Sequence, residues 1–391
     1  MKADNHTTTA GADAAAHSNF SERQGGGQPL LSRTECNVLR GLAIMGIVLH
    51  NFSHWLGMAV KENEYKYTQG NVDDLLRVLS HPDWNLPVHL LSFFGHYGVP
   101  VFLFLSAYGL VLKYENQAPA ASFRGENATA NASPLGNMLH FVKHHFLKLF
   151  KMMIVGFVLF IIVDALTPGR HQYRLMDIVA QLGMFNNLLP QPNHIIWPGP
   201  YWFFGLMLQL YVVYRVLLYK RHWAWTVALV AVCTVVQMFF PPESEQLNRL
   251  RYNFVGSVLP FGMGLLCARY AVFRASKALH WANLLVSLCV IFAASCSYFS
   301  WYFVPIFICL FSVSLVKLLP SSWLRPLDWL GGVSAALFIV HPAMRKIFIP
   351  VSRQGDTYAG LLLYVIAAIA VAWLVREVMG KMEKQKRSPK Q

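Results

Sequence analysis

Ten apolar stretches, separated by polar connections, run along most of the chain. A bilayer core about 30 Å thick is crossed by about 20 apolar residues in helical conformation, so each stretch predicts one transmembrane helix. Residues 176–197 are half apolar but contain two asparagines and two prolines, which predicts a re-entrant or interfacial element. The pattern predicts an all-α polytopic membrane protein with about ten transmembrane helices, at residues 36–56, 88–112, 148–166, 201–219, 223–240, 254–272, 279–298, 302–319, 329–349 and 359–379.

Composition supports this interpretation. Hydrophobic residues make up 55% of the 391 residues and charged residues only 13%, whereas soluble domains average about 25% charged residues. The six cysteines all lie in or beside apolar stretches and form no CxxC pair, so neither a disulfide framework nor a thiolate metal site is expected. No basic stripe with interleaved aromatic residues lies on a soluble segment, so a nucleic-acid partner is not expected either.

The distribution of positive charge predicts the orientation. If the N-terminus is inside, most lysines and arginines fall in inner loops, as is typical of cytoplasmic loops, so both termini are expected to be cytoplasmic. The net charge of +14 then mainly reflects topology, with an added attraction to anionic lipid or to an anionic cytosolic ligand. Three segments are predicted: a disordered cytoplasmic tail (1–32), a membrane domain (33–379) and a basic cytoplasmic tail (380–391).

The first predicted span is interrupted by Arg40, His50, Asn51 and His54. Ionisable groups in a membrane segment cost at least about 2.5 kcal/mol each and usually serve a partner, a cavity or a reaction. On a helix, Arg40 and His50 are about 15 Å apart along the axis, and His54 lies one turn beyond His50. Asn51 falls within about 20° of the Arg40 meridian. The span is therefore predicted to carry a polar stripe with a chemical role.

Five segments, in this order along the chain, together resemble a known family. They are NVLRGLAIMGIVLH (37–50), GHYGVPVFLFLSAYGLVL (95–112), FVKHHFLKLFK (141–151), WFFGLMLQLY (202–211), and the late pair LPFGMGLLCAR (259–269) with GVSAALFIVHP (332–342). The set is similar to the signature segments of the membrane-bound acyltransferase 3 family, which includes bacterial O-acetyltransferases of surface glycans. The resemblance covers roughly residues 33–379.

The chain departs from the family pattern at three places. Asn37 stands where an aspartate is usual, and Met207 and Leu208 stand where many members carry glutamates. Nine residues rather than the usual ten separate Arg40 from His50, so Asn51 occupies the usual histidine register. His50 is the favoured catalytic histidine, and His54 is the second candidate.

The resemblance implies transfer of an acyl group, most often acetyl from acetyl-CoA, to a hydroxyl of a cell-surface or lipid-linked glycan at the bacterial inner membrane. A sugar hydroxyl attacks a thioester poorly unless a base removes its proton, and imidazole suits that task near neutral pH. His50 is thus the predicted general base, and Arg40 the predicted partner of an anionic part of the donor. A second donor contact is predicted at Lys143, His144, His145, Lys148 and Lys151, and further pocket residues at Asn51, Ser106, Trp202, Gln209, Tyr211 and His341.

Structural roles are the alternative for each residue. Arg40 alternatively anchors the helix at the interface, and His50 and His54 hold neighbouring helices together by hydrogen bonds. The basic segment at 141–151 alternatively contacts lipid, and Trp202 and Tyr211 belong to an interfacial aromatic belt. His341 alternatively satisfies a carbonyl near Pro342.

Two other functions would use the same residues. The two histidines of HNFSH lie one turn apart, but no third ligand is evident, so no metal site is predicted. A transporter or flippase that moves a polar solute or lipid-linked glycan along the polar stripe is the alternative to an enzyme.

Overall fold

The computed structural model describes residues 29–116, 134–271 and 275–387, and all regular structure in these ranges is helical. The tail predicted for residues 1–32 lies mostly outside the described residues, and the tail predicted for 380–391 is helical as far as Arg387. The helices are α1 (Arg33–Ser53), α2 (Gln69–Ser80), α3 (Leu86–Phe94), α4 (Gly98–Tyr114), α5 (Pro134–Leu166), α6 (Leu175–Leu182), α7 (Pro192–Ile195), α8 (Trp202–Val213), α9 (Trp223–Met238), α10 (Glu245–Arg251), α11 (Phe254–Tyr270), α12 (Lys277–Ser295), α13 (Tyr298–Trp301), α14 (Val304–Leu318), α15 (Ser321–Arg353) and α16 (Thr357–Arg387).

Nine of the ten predicted spans each coincide with one helix, although some helices are longer than their apolar stretch, and the second span, 88–112, covers both α3 and α4. The third was predicted to begin at residue 148, but α5 begins at Pro134. The first part of α5 is rich in lysine and histidine. A search for apolar stretches therefore misses it, although it is helical. Residues 176–197 form only short helices and turns, separate from the long helices.

Six helical segments among the described residues are long and apolar enough to cross a membrane: Leu86–Tyr114, Leu135–Leu166, Gly199–Leu218, Lys277–Ser295, Ser321–Arg353 and Thr357–Met382. α9 and α14 are apolar but shorter, and α1 and α11 belong to neither group. The chain is an all-α, multi-pass membrane protein. Ten crossings and two cytoplasmic termini stay predictions.

α1 lies at the centre of the helix packing and begins at a capping box. The Ser32 side chain accepts a hydrogen bond from the Glu35 amide at 3.2 Å, and the Glu35 carboxylate accepts one from the Ser32 amide at 2.8 Å. Many of its side chains are buried, including Val38, Ile44 and Phe52. A position among other helices lets α1 carry polar groups away from lipid.

α15 runs parallel to α1 at very short range. A Cβ on Gly331 would lie 1.9 Å from the carbonyl oxygen of Asn37, so only glycine permits this approach. Towards the other end of the pair, Nη1 of Arg345 lies 3.4 Å from the carbonyl oxygen of Asn51. The contact therefore follows α1 along nearly its whole length.

α3 and α4 run antiparallel to α1 on another side, joined by a 3-10 turn at Gly95–Tyr97. A Cβ on Gly98 would lie 2.3 Å from the carbonyl oxygen of Ala43, which brings this segment close to the middle of α1. At the far end, the Tyr108 hydroxyl accepts a hydrogen bond from the Leu31 amide at 3.0 Å.

α5, α12 and α16 form the periphery. Only 22% of the most apolar stretch of α12 and of α16 is buried, against 67% for α15. The exposed side chains of α16 include Leu362, Ile366 and Leu374. Such apolar, exposed helices are suited to face lipid, which leaves the polar groups of the molecule in the centre.

Candidate active site

A cavity of about 650 Å³ follows the polar side of α1. Arg40 lines one end and Trp55 the other, so the cavity extends along about 20 Å of the helix. α4, α5, α8 and α15 complete its walls. The α1 residues on its wall are Arg40, Ile47, His50, Asn51 and His54, with Trp55 just beyond the helix end.

His50 has one ring nitrogen fixed by the backbone and the other left for chemistry. Its Nδ1 lies 2.9 Å from the carbonyl oxygen of Ser92. Because a carbonyl only accepts, Nδ1 donates, and the neutral ring then carries its lone pair on Nε2. This tautomer and orientation suit a general base, and His50 lines the cavity.

Gly95 allows α3 to approach His50 closely enough for this hydrogen bond. A Cβ at Gly95 would lie 2.7 Å from the His50 Cβ and 2.7 Å from the carbonyl oxygen of Gly46. Both distances are shorter than the contacts that Cβ atoms make in folded proteins. Any side chain at this position would therefore displace α3 or α1. The absence of a side chain at Gly95 thus helps to maintain the orientation of the His50 imidazole.

With His50 as the general base predicted from the sequence, Gly95→Ala is expected to reduce the predicted acyl transfer while the protein still inserts, because the added methyl shifts His50 relative to Ser92. Rates of transfer and membrane abundance are the measurements. Gly57→Ala is the matched control, since a Cβ at Gly57 meets nothing within 4 Å. An unchanged rate for Gly95→Ala would contradict the proposed support of His50.

Two further histidines surround His50. The ring centroid of His54 lies 5.1 Å from that of His50, and the centroid of His96 lies 5.4 Å away. Both His96 nitrogens are buried without a hydrogen bond, as is Nδ1 of His54. His96 was not among the predicted site residues. The described residues contain no group of three or more His, Cys, Asp or Glu side chains able to hold a metal ion.

Arg40 lies at the other end of the cavity and is half-buried. Its Nη1 donates to the Asn37 side-chain oxygen at 2.9 Å, and the Asn37 amide nitrogen donates to Asp328 at 3.0 Å. Asn37 therefore positions the guanidinium without neutralising it. No carboxylate of the described residues forms an ion pair with Arg40, which leaves its charge for a ligand.

The basic segment of α5 contributes two of its five predicted residues to the cavity. His145 is buried and Lys148 exposed, and both line the wall. Nε2 of His145 lies 3.2 Å from the Tyr114 hydroxyl. The other three are exposed and lie outside the cavity wall: Lys143, His144 and Lys151. Lys113, which was not predicted, adds a further positive charge at this end.

Four of the six predicted pocket residues line the cavity, namely Asn51, Ser106, Trp202 and Tyr211. Gln209 instead bonds to the start of α11, donating to the Asn253 side chain at 2.7 Å and accepting from the Phe254 amide at 3.0 Å. His341 is fully buried outside the wall, with Nδ1 3.3 Å from the Leu337 carbonyl oxygen. That contact matches the alternative, structural role for His341.

The loop between α1 and α2 covers the Trp55 end of the cavity. Tyr65 stacks on Tyr252 at a centroid distance of 3.9 Å and meets Trp202 edge-on at 5.2 Å. Glu64 lines the same end, and burial raises its pKa to about 7. The loop therefore covers the mouth of the cavity with aromatic rings and with a carboxyl group whose pKa is raised towards neutrality.

Glu62, in the same loop, has a buried carboxyl oxygen without a hydrogen bond, and burial raises its pKa to about 8 from an ordinary value of 4.5. The folded protein thus retains a proton that the unfolded chain releases. Stability is expected to fall as pH rises from about 5 to about 8, because a tenfold difference in proton affinity between the two states corresponds to about 1.4 kcal/mol.

We expect Glu62→Gln to flatten this pH dependence and raise the melting temperature at pH 8 but not at pH 5. Thermal unfolding of the purified protein at both values tests it. Glu243→Gln, at an exposed position, is the control. Equal pH slopes for wild type and Glu62→Gln would contradict the assignment.

Arg345 reaches the cavity from α15 and was not among the predicted site residues. It is only 5% exposed, and its guanidinium carbon lies 4.5 Å from the ring centroid of Trp55. The residue falls inside the ninth predicted span, at 329–349. Treating it as an intramembrane charge, like Arg40, would have identified it.

Comparison with known proteins identifies the family. A scan against protein-family models matches residues 33–377 to the acyltransferase 3 family (Acyl_transf_3), described as an acyltransferase domain. The comparisons with curated proteins and with solved structures gave no match. The family match covers the helices that build the cavity, from α1 into α16. The chain therefore belongs to the acyltransferase 3 family and is a membrane acyltransferase.

Proposed function

We propose that this membrane acyltransferase moves an acetyl group from acetyl-CoA to a hydroxyl of a cell-surface or lipid-linked glycan at the bacterial inner membrane, with His50 as general base. The observation that carries the proposal is one continuous cavity. It joins the cationic end at Arg40 to the imidazole of His50 and then to the covered end at Trp55.

The cationic end suits the donor. Arg40, Lys113 and Lys148 line it, and guanidinium and ammonium groups bind the phosphates of a nucleotide. If this end is cytoplasmic, as the charge distribution predicts, it opens where acetyl-CoA is made. The thioester at the end of the flexible pantetheine arm then extends along the cavity towards His50.

The transfer step uses the free nitrogen of His50. The acceptor hydroxyl oxygen attacks the thioester carbonyl carbon while its proton passes to Nε2 of His50. The new ester bond forms, the carbon–sulfur bond breaks, and coenzyme A leaves with the electron pair as a thiolate. The thiolate then takes the proton from the imidazolium, which returns His50 to its neutral form. The Nδ1 hydrogen bond to Ser92 holds the ring in place and stabilises the imidazolium that forms.

Purified protein in liposomes, supplied with acetyl-CoA labelled in the acetyl group and with polysaccharide or lipid-linked sugar from a deletion strain, tests the function. We expect label on the glycan, released by mild base as for an ester, and release of free coenzyme A. Mass spectrometry of the surface glycan should show loss of one acetyl increment in the deletion strain. Glycan movement across the bilayer without labelling would instead support a transporter.

A further inference from the structure

Arg345 is a buried cation without a neutralising partner among the described residues. Its hydrogen bonds there are two long ones from Nη1 to Asn51, at 3.4 Å to the backbone oxygen and 3.5 Å to the side-chain oxygen. The adjacent Lys346 pairs with Asp164, but Arg345 pairs with no carboxylate of the described chain. Its remaining donors belong to a side chain that lines the cavity.

The charges around Arg345 increase the demand for an anion. Lys61 donates to the carbonyl oxygens of His54 and Leu56, and Arg353 donates to that of Trp55 at 2.9 Å. Both are occupied by the backbone beyond α1, but both keep their positive charge near the cavity mouth. Glu64, the carboxyl group that lines this end, is a weak source of negative charge for them, because burial raises its pKa from 4.5 to about 7.

A buried cation is strongly unfavourable unless an anion or several hydrogen bonds compensate it. Trp55 compensates in part, because a guanidinium over an aromatic face is attracted by the negative charge of the ring's π-system. The Arg345 side chain lines the part of the cavity in which the acceptor of the proposed reaction would lie. We propose that Arg345 binds a negatively charged group of the acceptor, a carboxylate or a phosphate, next to the hydroxyl that is acylated.

The position of Arg345 favours the acceptor over the donor as the source of this anion. Arg345 contacts Asn51, whereas Arg40 lies eleven residues earlier on α1, about 16 Å along the axis. The phosphates of a donor bound at Arg40 therefore lie far from Arg345. The inference rests on the proposed function, and it narrows the acceptor to an acidic glycan or a sugar phosphate.

A matched set of probes tests the inference by binding, without requiring turnover. The full chain in lipid nanodiscs, as wild type and as Arg345→Gln, is titrated with methyl glucoside, methyl glucuronide and glucose 1-phosphate. The rise in melting temperature with sugar concentration gives the affinity for each sugar. The glucuronide and the phosphate arms distinguish a sugar acid from a phosphorylated sugar as the source of the anion.

For wild type we expect at least one of the two anionic sugars to bind about tenfold more tightly than the glucoside, which corresponds to one charge-assisted hydrogen bond. Arg345→Gln should abolish the difference and Arg345→Lys should retain part of it. Arg249→Gln, at an exposed site outside the cavity, should leave it unchanged. Repeating the titration in His50→Ala separates this inference from the catalytic proposal.

Two results would overturn the inference. One is equal binding of the three sugars by wild type. The other is a preference for anionic sugars that persists in Arg345→Gln. If Arg345→Gln slows transfer to charged and neutral acceptors by the same factor without changing their binding, Arg345 instead stabilises the tetrahedral oxyanion, and the anion subsite is refuted. If the protein transfers no acyl group to any acceptor but still prefers anionic sugars through Arg345, the proposed function is refuted and the anion subsite stands.

Discussion

His50→Ala is expected to lower acyl transfer by about 10²- to 10⁴-fold, the usual contribution of a positioned general base, without lowering the amount of protein in the membrane. The physical reason is the loss of Nε2, the nitrogen left for the acceptor proton once Nδ1 donates to Ser92. Transfer of labelled acetyl to glycan by membranes of equal protein content measures the effect.

His50→Gln is the sharper control for the same prediction. Glutamine can still donate to the Ser92 carbonyl and hold α3 in place, but its amide cannot accept a proton near neutral pH. Loss of transfer in both variants, with normal thermal stability for His50→Gln, would assign the effect to proton transfer rather than packing. His54→Ala should have a smaller effect. If His54→Ala removes activity and His50→Ala retains it, His54 is the base.

Apolar runs predicted the long helices well because lipid and a helical core impose the same requirement for apolar residues. They failed at the ends, where helix continues without apolarity. The first part of α5, from Pro134, is such a case, and so is the extension of α16 to Arg387. The polar stripe on α1 was also predictable, since the rotation of a helix places Arg40 and Asn51 on one side.

The rest of the site depends on contacts between distant segments. Helical rotation alone favours Asn51 over His50, but the cavity is wide enough for both to line it. Gly95 and Ser92 orient His50 from another helix, and the loop that carries Glu64 covers the mouth. Neither contact leaves a recognisable pattern of residues within a short stretch of sequence, so neither could be predicted from one sequence.

Arg40→Ala is expected to raise the KM for acetyl-CoA by about 10- to 100-fold, with a smaller effect on kcat, because a charge-assisted hydrogen bond contributes about 1.5–3 kcal/mol. The guanidinium is positioned by Asn37 but not neutralised by it, so a phosphate of the donor supplies the missing charge. Initial rates of transfer at varied donor concentration give both constants. Arg40→Lys should be intermediate, since lysine keeps the charge but loses the bidentate geometry.

Arg33→Ala is the matched control, because Arg33 lies at the same end of α1 but is exposed and outside the cavity wall. Acetyl-pantetheine, which carries the thioester without the nucleotide phosphates, provides a second comparison. If Arg40 binds those phosphates, Arg40→Ala should weaken the use of acetyl-CoA and leave the use of acetyl-pantetheine nearly unchanged. An equal loss with both donors would mean that Arg40 maintains the helix or the cavity, as an interfacial anchor does. An unchanged KM for acetyl-CoA would place the donor elsewhere.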